Sequence, residues 1–227
     1  MRIRIFILFA IAGVALPVFQ SCTRTIKDNY TAVGLEYFPY EKGNVRTYIY
    51  DSTHYNALLK KTETFRFTVK ETVTDTFTDQ QNQLNYRIER YYTPDTGKNY
   101  YFMDLRAVTW NSYGVQTWNQ NKRIVNLSFP IKEKRWWNAN IYNTDDEQRY
   151  TYGPVGRAYA NNWQSWDQTV MVEKKYDSTF IAIAQEREIY AKDVGMVYQL
   201  NRNLDLTDPN NYPDGFVVVW SLYSYKK

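Results

Sequence analysis

The chain has 227 residues, a formal net charge of +4 and a single cysteine. Aromatic residues make up 18% of it, whereas glycine and proline are scarce, and this composition excludes an intrinsically disordered chain. The nearly balanced charge argues against a dedicated nucleic-acid binder, which would carry a basic stripe.

The first feature in chain order is an apolar segment behind two arginines. Arg2 and Arg4 precede an uncharged run over 5–19, which is shorter than the ~20 apolar residues that a membrane-spanning helix needs. A short apolar run behind a positive start is typical of a secretory signal peptide. We expect residues 1–21 to be removed on export, which takes away both arginines and lowers the formal charge from +4 to +2.

Cys22 ends this segment in the sequence Phe19-Gln20-Ser21-Cys22. The stretch resembles a bacterial lipobox, although Phe19 stands where the usual pattern has an aliphatic residue. The resemblance implies that Cys22 is acylated, with palmitate among the acyl chains, and becomes the new N-terminus. Two or more acyl chains hold a protein stably on a membrane, whereas one chain binds only marginally. The sequence therefore predicts a lipoprotein anchored through Cys22.

The residues after Cys22 bear on where the protein is anchored. Residues 22–33 are largely polar and predict a lipidated tether before the folded domain. Thr23 stands where, in the lipoproteins that this segment resembles, an aspartate would favour retention in the inner membrane. We therefore expect the periplasmic face of the outer membrane, with the cell surface as the alternative.

Strand-like alternation dominates the remainder, residues 34–227, which we expect to form a single β-rich domain. Residues 64–70 and 84–92 alternate polar and apolar side chains, as half-buried strands do. A hairpin is expected around Asp177-Ser178, and a loop over 205–214 precedes the last strand.

No segment past residue 30 has a helical period, so the predicted fold is all-β. The preferred architecture is a strongly curved antiparallel sheet, either a lipocalin-like barrel or a half-barrel. A two-sheet β-sandwich is the alternative. Curvature or closure would protect the edges of a sheet this large.

Two segments resemble parts of a family of uncharacterised Gram-negative bacterial lipoproteins. Those proteins carry an FPxxxGN turn near the start of the domain and a YAxxVGxV element near its end. In this chain the resemblance rests on Phe38, Pro39, Gly43, Asn44, Tyr190, Ala191, Val194 and Gly195. It implies an exported β-rich domain and provides no catalytic residue.

The candidate catalytic and metal-binding groups are sparse. Asp51, Ser52 and His54 have the residue types of a hydrolytic triad, but they fall in one expected turn, without a nucleophile elbow. One histidine and one lipidated cysteine cannot form a zinc site. The acidic stretches 145–147 and 205–211 could offer oxygen ligands, yet solvated loops are the simpler interpretation. We expect no enzyme, no cofactor and no metal.

Tryptophan is the feature that suggests binding, because its apolar face and polar N–H suit sugars and amphipathic ligands. Adjacent Trp136 and Trp137 must point to opposite faces of a strand, so at least one should be core. The predicted ligand-binding set is Trp110, Trp118, Trp136, Trp163 and Trp166, with core packing as the competing interpretation.

The sequence thus favours a non-catalytic envelope lipoprotein with a binding or structural role. Its aromatic surface or cavity would take an amphipathic ligand, a glycan or another envelope protein. A carbohydrate-binding accessory lipoprotein is the second hypothesis, and a hydrolase acting through two carboxylates is the third. Two Asp-Ser-Thr triplets, 51–53 and 177–179, also resemble a bacterial O-glycosylation motif, although turn chemistry explains them equally well.

Overall fold

The computed structural model describes residues 34–94, 99–119, 121–210 and 212–227, with only the backbone of Asn119. These residues form one antiparallel sheet of twelve strands and one 3-10 helix, Leu35–Tyr37. The strands are β1 Val45–Asn56, β2 Lys61–Thr78, β3 Leu84–Thr93, β4 Tyr101–Asn111, β5 Gly114–Asn119, β6 Lys122–Ser128, β7 Trp136–Asn138, β8 Arg149–Ala160, β9 Ser165–Ser178, β10 Ala182–Ala191, β11 Gly195–Asp205 and β12 Asp214–Lys226.

The sheet runs in the order β6-β5-β4-β3-β2-β1-β12-β11-β10-β9-β8-β7, so its free edges are β6 and β7. These two edges approach each other. The Val125 amide donates to the Ala139 carbonyl at 3.0 Å, and Trp137 Nε1 donates to the Val125 carbonyl at 2.9 Å. The sheet is therefore a nearly closed barrel, which confirms the prediction of an all-β, strongly curved antiparallel sheet.

The barrel has two chemically different ends. The hairpin connections β1–β2, β3–β4, β5–β6, β7–β8, β9–β10 and β11–β12 lie together at what we call the distal end. Gly34, the start of β1 and the last residues of β12 lie at the opposite, proximal end, because β1 and β12 run antiparallel. The chain therefore enters and leaves the barrel at the proximal end.

Burial along β2 shows where the core lies. Phe65, Phe67 and Val69 alternate onto one face, as the sequence predicts, but Phe65 is 53% exposed whereas Val69 is fully buried. The interior is packed more tightly toward the proximal end. There Phe38 stacks on Tyr40 at 4.4 Å and approaches the ring of Tyr190 at 5.9 Å, which fills the mouth of the barrel.

The two segments that carry the family resemblance meet at this proximal mouth. The Asp193 amide donates to the Glu36 carbonyl at 2.7 Å, and Arg46 Nε donates to the Val194 carbonyl at 3.0 Å. Gly43 and Gly195 both have positive φ angles, 95° and 99°, which glycine adopts without strain. These motif residues therefore have a structural role, in joining the entry segment to the β10–β11 turn.

One local expectation was wrong. Residues 51–54 do not form a turn but lie inside β1, which continues to Asn56. The reason is tertiary, because β1 is flanked on both sides, with Ser52 opposite Phe65 of β2 and Val218 of β12. Such double pairing overrides the local turn preference of an Asp-Ser pair.

The predicted signal peptide and tether, including Cys22, lie outside the described residues. Within the described part of the chain, no helix is long and apolar enough to cross a membrane.

Candidate functional site

The interior of the barrel contains a network of buried charges. Arg90 forms a two-pronged pair with Asp104, and Arg106 also lies 3.4 Å from that carboxylate. On the facing strands, Lys174 Nζ donates to Glu188 at 2.5 Å. Buried charges are tolerated only when they are paired and hydrogen-bonded, and this network largely meets that condition.

Buried tyrosines complete the network. Tyr40 donates its hydroxyl to Glu71 at 3.1 Å, and Tyr190 donates to Glu188 at 2.5 Å. Burial, reinforced by the neighbouring glutamate, raises the pKa of both phenols far above the usual value. Burial alone would lower the pKa of Lys174, but the Glu188 carboxylate outweighs it and raises that pKa. The phenols therefore stay neutral and serve as hydrogen-bond donors.

The space left inside this network is small. A cavity of about 50 Å³ lies between Glu71, Arg90, Arg106, Glu188 and the two tyrosines. A space of this size has room for a few water molecules, whereas pockets for small ligands measure ~300–1,000 Å³. A sugar cannot enter between Glu71 and Glu188, and both carboxylates are already engaged. This cavity, bounded by described residues, is therefore too small for a ligand of the lipocalin type.

A larger opening lies on the outer face of β2–β5. It is a groove of about 460 Å³. Its walls follow one row of the sheet, because Asp75 pairs with Arg87, Arg87 with Ala107, and Ala107 with Trp118. Phe77 and Leu105 extend the apolar part of the groove, and both remain close to half exposed.

The polar rim of the groove is held in place by its neighbours. Lys42 Nζ lies 2.8 Å from Asp75, and this contact holds the pKa of the Asp75 carboxyl below its usual range. Arg87 lies 3.3 Å from Glu89. A carboxylate and a guanidinium therefore stand together at one end of an apolar groove, where they can orient the polar end of an amphipathic ligand.

Trp118 is the predicted tryptophan that lines this groove. The Arg123 guanidinium lies 5.0 Å from the centre of its ring. Arg123 is in turn fixed by donating to Gln116 at 2.5 Å. A guanidinium over an indole face is attractive by about 0.5–1 kcal/mol at exposed sites, so the ring is held ready in one orientation.

The other four predicted tryptophans lie elsewhere. Trp110 stacks on Tyr86 at 4.5 Å beside the core, and Trp166 stacks on Tyr159. Trp136 is exposed beneath Arg149, and Trp163 makes an edge contact with Tyr223. The structure therefore does not bring the five tryptophans into one surface. As predicted for the adjacent pair, Trp137 is buried and Trp136 is exposed.

Sequence reasoning missed the residues that join Trp118 in the groove. Phe77, Arg87 and Leu105 lie on three different strands, so they share a surface only through the pairing of β2, β3 and β4. A usable signal was the alternation of Leu105 and Ala107 with charged neighbours, which places two apolar side chains on one face of β4.

The acidic stretches behave as solvated loops. Asp145 pairs with Lys122 at 2.6 Å, and Asp208 accepts from the Tyr212 amide at 3.2 Å. In the part of the chain that the structure describes, no group of three or more His, Cys, Asp or Glu residues could hold a metal ion. Ser52 Oγ and His54 Nε2 are 2.8 Å apart, but Asp51 is bound to Arg66 instead of completing a triad.

No family model matches the chain. No curated protein matches it. Solved structures similar to it include a candidate exported protein with a YmcC-like fold from Bacteroides fragilis, at 9% identity and a TM-score of 0.47. Another is a candidate lipoprotein from Parabacteroides distasonis, at 12% identity and a TM-score of 0.43. Each comparison covers 84% of this chain and 98% of the other.

Proposed function

We propose that this protein is an exported lipoprotein of the outer membrane, anchored through Cys22, that binds an amphipathic ligand in the groove on the outer face of β2–β5. The ligand has a flat apolar part that lies against Trp118 and Phe77. Its polar end lies at Asp75 and Arg87. Binding is non-catalytic, because the groove brings no nucleophile and general base together.

One observation carries this proposal, namely the groove itself. Its volume of about 460 Å³ falls within the ~300–1,000 Å³ of small-ligand pockets, and its apolar side chains share the lining with the polar Asp75, Thr76, Arg87 and Arg106. The wall lies on rigid paired strands, so little ordering is needed when a ligand binds. The internal cavity is far smaller and offers no comparable site.

A carbohydrate is the second candidate ligand. An aromatic ring beside a carboxylate and a guanidinium can take the apolar face of a sugar while the polar groups hold its hydroxyls. The carbohydrate hypothesis requires the ligand to be a neutral glycan. The amphipathic-ligand hypothesis accepts any amphipathic molecule with an anionic end near Arg87.

The experiment is a fluorescence titration of the full lipidated chain in detergent with 1-anilinonaphthalene-8-sulfonate, which has an aromatic body and one anionic group. We expect saturable binding with one site per chain. Trp118→Ala should weaken it by about tenfold, because the substitution removes most of the aromatic wall. Trp163→Ala is the matched control, since Trp163 is exposed but lies away from the groove.

Equal loss of probe binding in both variants, or no loss in Trp118→Ala, would show that the groove is not the binding site. Competition of the probe by soluble neutral oligosaccharides, also sensitive to Trp118, would favour the carbohydrate version.

A further inference from the structure

The distal end of the barrel is lined with exposed apolar side chains. Leu58 at the β1–β2 tip is 91% exposed, and Phe180 at the β9–β10 tip is fully exposed. Their neighbours Leu59 and Ile181 are exposed as well, and other distal connections and strand ends add Tyr100, Tyr101, Phe102, Ile141 and Tyr142. Single exposed apolar residues are ordinary, but a set concentrated at one end of a protein marks an interaction surface.

The proximal end lacks this concentration. The β2–β3 connection, residues 79–83, consists of one Asp, one Asn and three Gln. The β10–β11 turn begins with Lys192 and Asp193, and the chain ends in two lysines. The large exposed apolar side chains toward this end, among the described residues, are Phe77, Leu84, Tyr113, Trp163 and Tyr223, and apart from Tyr113 each is about half exposed or less. The most fully exposed apolar tips, Leu58 and Phe180, are therefore at the distal end.

Two of the apolar tips flank one acidic loop. The Leu206 amide donates to the Ile181 carbonyl at 2.8 Å, and the Ala57 amide donates to Asp214 Oδ1 at 3.1 Å. The loop after β11 is thus joined to the tips on both of its sides. A groove of about 590 Å³ opens between Leu58 and this loop, and Asp205, Asp208 and Asp214 line it. These three aspartates and the tips Leu58, Leu59, Phe180 and Ile181 form what we call the distal surface.

The place where the chain enters the barrel bears on what can reach the distal surface. Gly34 lies at the proximal end, beside Phe129 and Ile131. The twelve residues of β1 span ~40 Å at ~3.3 Å per residue, so the distal tips stand about that far along the strands from the entry point. For comparison, any flexible chain of twelve residues, the number from 22 to 33, has a typical end-to-end distance of only ~20 Å.

An anchor on Cys22 therefore holds the distal surface away from the membrane that carries the lipid. To press the tips onto that bilayer, the tether would have to run almost fully extended along the height of the barrel. This step rests on the anchor in the proposed function. The same membrane is accordingly disfavoured as the occupant of the distal surface.

Charge decides what kind of partner fits. Asp205, Asp208 and Asp214 outnumber Lys60 in the lining of this groove, so the loop between the tips is acidic, and Lys61 nearby is already paired with Glu63 at 2.5 Å. Carboxylates repel one another when two copies of the same acidic surface meet, and they repel anionic lipids as well. We propose that the distal surface docks a second envelope protein, which presents an apolar patch flanked by lysine or arginine.

The test is site-specific photocrosslinking in intact cells that make the full lipidated chain. The photoreactive p-benzoylphenylalanine replaces Phe180 in one strain, Leu58 in a second and Tyr113, at the proximal end, in a third. We expect a discrete adduct with one other protein from the two distal positions and none above background from Tyr113. Asp208→Asn, which keeps a side-chain oxygen as acceptor, should lower the yield several-fold.

The captured protein is then purified and titrated against the full lipidated chain. The double variant Leu58→Ser with Phe180→Ser should bind it about tenfold more weakly, as for the loss of central apolar contacts in an interface. A lipid adduct, an adduct of two copies of this chain, or equal yield from all three positions would overturn the proposal. Loss of fatty-acid label from the parent protein would instead show failure of the anchor.

Discussion

Arg46 shows how a charged residue can become part of a core. Its side chain is fully buried, and its guanidinium donates to the carbonyls of Val194 at 3.0 Å and Pro39 at 2.6 Å. The same group lies 4.1 Å from the ring centre of Tyr40. Its planar fork joins three parts of the chain, which an ammonium on a flexible stem cannot do.

Arg46→Lys should therefore lower the free energy of unfolding by about 2–4 kcal/mol although it keeps the charge, because lysine cannot reach both carbonyls. Urea denaturation measures this change. Arg66→Lys is the matched control, since Arg66 pairs with Asp51 on the surface and should change stability by about 0–1 kcal/mol. Equal small effects in the two variants would show that Arg46 does not hold the proximal mouth together.

The buried tyrosines predict loss of stability in alkali. Burial raises the pKa of Tyr190 well above that of a tyrosine in the unfolded chain. Above pH ~10 the unfolded chain releases protons that the native state keeps, so stability falls as the pH rises, by up to ~1.4 kcal/mol per pH unit for each such tyrosine. The raised pKa of Lys174 acts in the same direction.

Tyr190→Phe should reduce the number of protons released on unfolding by about half a proton at pH ~10 and by nearly one at pH ~11, so the unfolding free energy should fall less steeply with pH. Urea titrations at several pH values measure the slope. Tyr113→Phe, at an exposed position, is the control variant. An unchanged slope in Tyr190→Phe would mean that this phenol ionises in the folded protein.

At the scale of elements, the seam between β6 and β7 decides whether the sheet closes. The two edge strands are short, seven and three residues. They are joined by the Val125–Ala139 backbone bond and by the Trp137 indole. The Tyr152 hydroxyl adds contacts at 2.9 Å to the Ser128 backbone. The edges of the sheet are thus covered by side chains as much as by strand pairing.

Trp137→Phe should destabilise the protein by about 1–3 kcal/mol, because it leaves the buried Val125 carbonyl without the indole donor. Trp136→Phe should cost less than about 0.5 kcal/mol, since that neighbour is exposed. Thermal unfolding of both variants measures the difference. Hydrogen exchange of the Val125 amide should also accelerate in Trp137→Phe and not in Trp136→Phe. An unchanged exchange rate in Trp137→Phe would show that the seam does not depend on the indole.

At the scale of the whole molecule, the proposed sites of attachment and of binding are separate. The lipid anchor is expected upstream of the proximal end, whereas the groove lies on the side of the barrel and the apolar tips lie at the distal end. The two Asp-Ser-Thr triplets, 51–53 and 177–179, differ in how accessible they are. Ser52 is buried inside β1, so only the triplet at 177–179, which is exposed at a distal tip, is accessible for modification in the folded protein.

Cys22→Ser should abolish incorporation of labelled palmitate and release the protein from the membrane fraction, because no other cysteine can carry the lipid. Metabolic labelling and fractionation measure both effects. Binding of 1-anilinonaphthalene-8-sulfonate should be unchanged, since the described lining of the groove comes from residues 75–118. A Cys22→Ser protein that still takes up label would contradict the lipobox interpretation.

Much of the fold could be predicted because side-chain alternation is local. The face shared by Phe65, Phe67 and Val69 follows from a period of two, as does the opposite burial of Trp136 and Trp137. Local turn signals failed at Asp51-Ser52, because pairing on both sides of β1 outweighs a turn preference. For the candidate site, composition pointed to tryptophan but could not select Trp118 from the five.

The sequence by itself determined the strand pattern and the prediction of a lipid on Cys22, because each depends on neighbouring residues. Only the tertiary structure decided which residues meet. The register of β2–β5 assembles the groove from Asp75, Phe77, Leu105 and Trp118, which are far apart in the chain. Closure of the barrel buries the charged interior and leaves a cavity of only about 50 Å³ between Glu71 and Glu188, because strand pairing and packing depend on contacts distant in sequence.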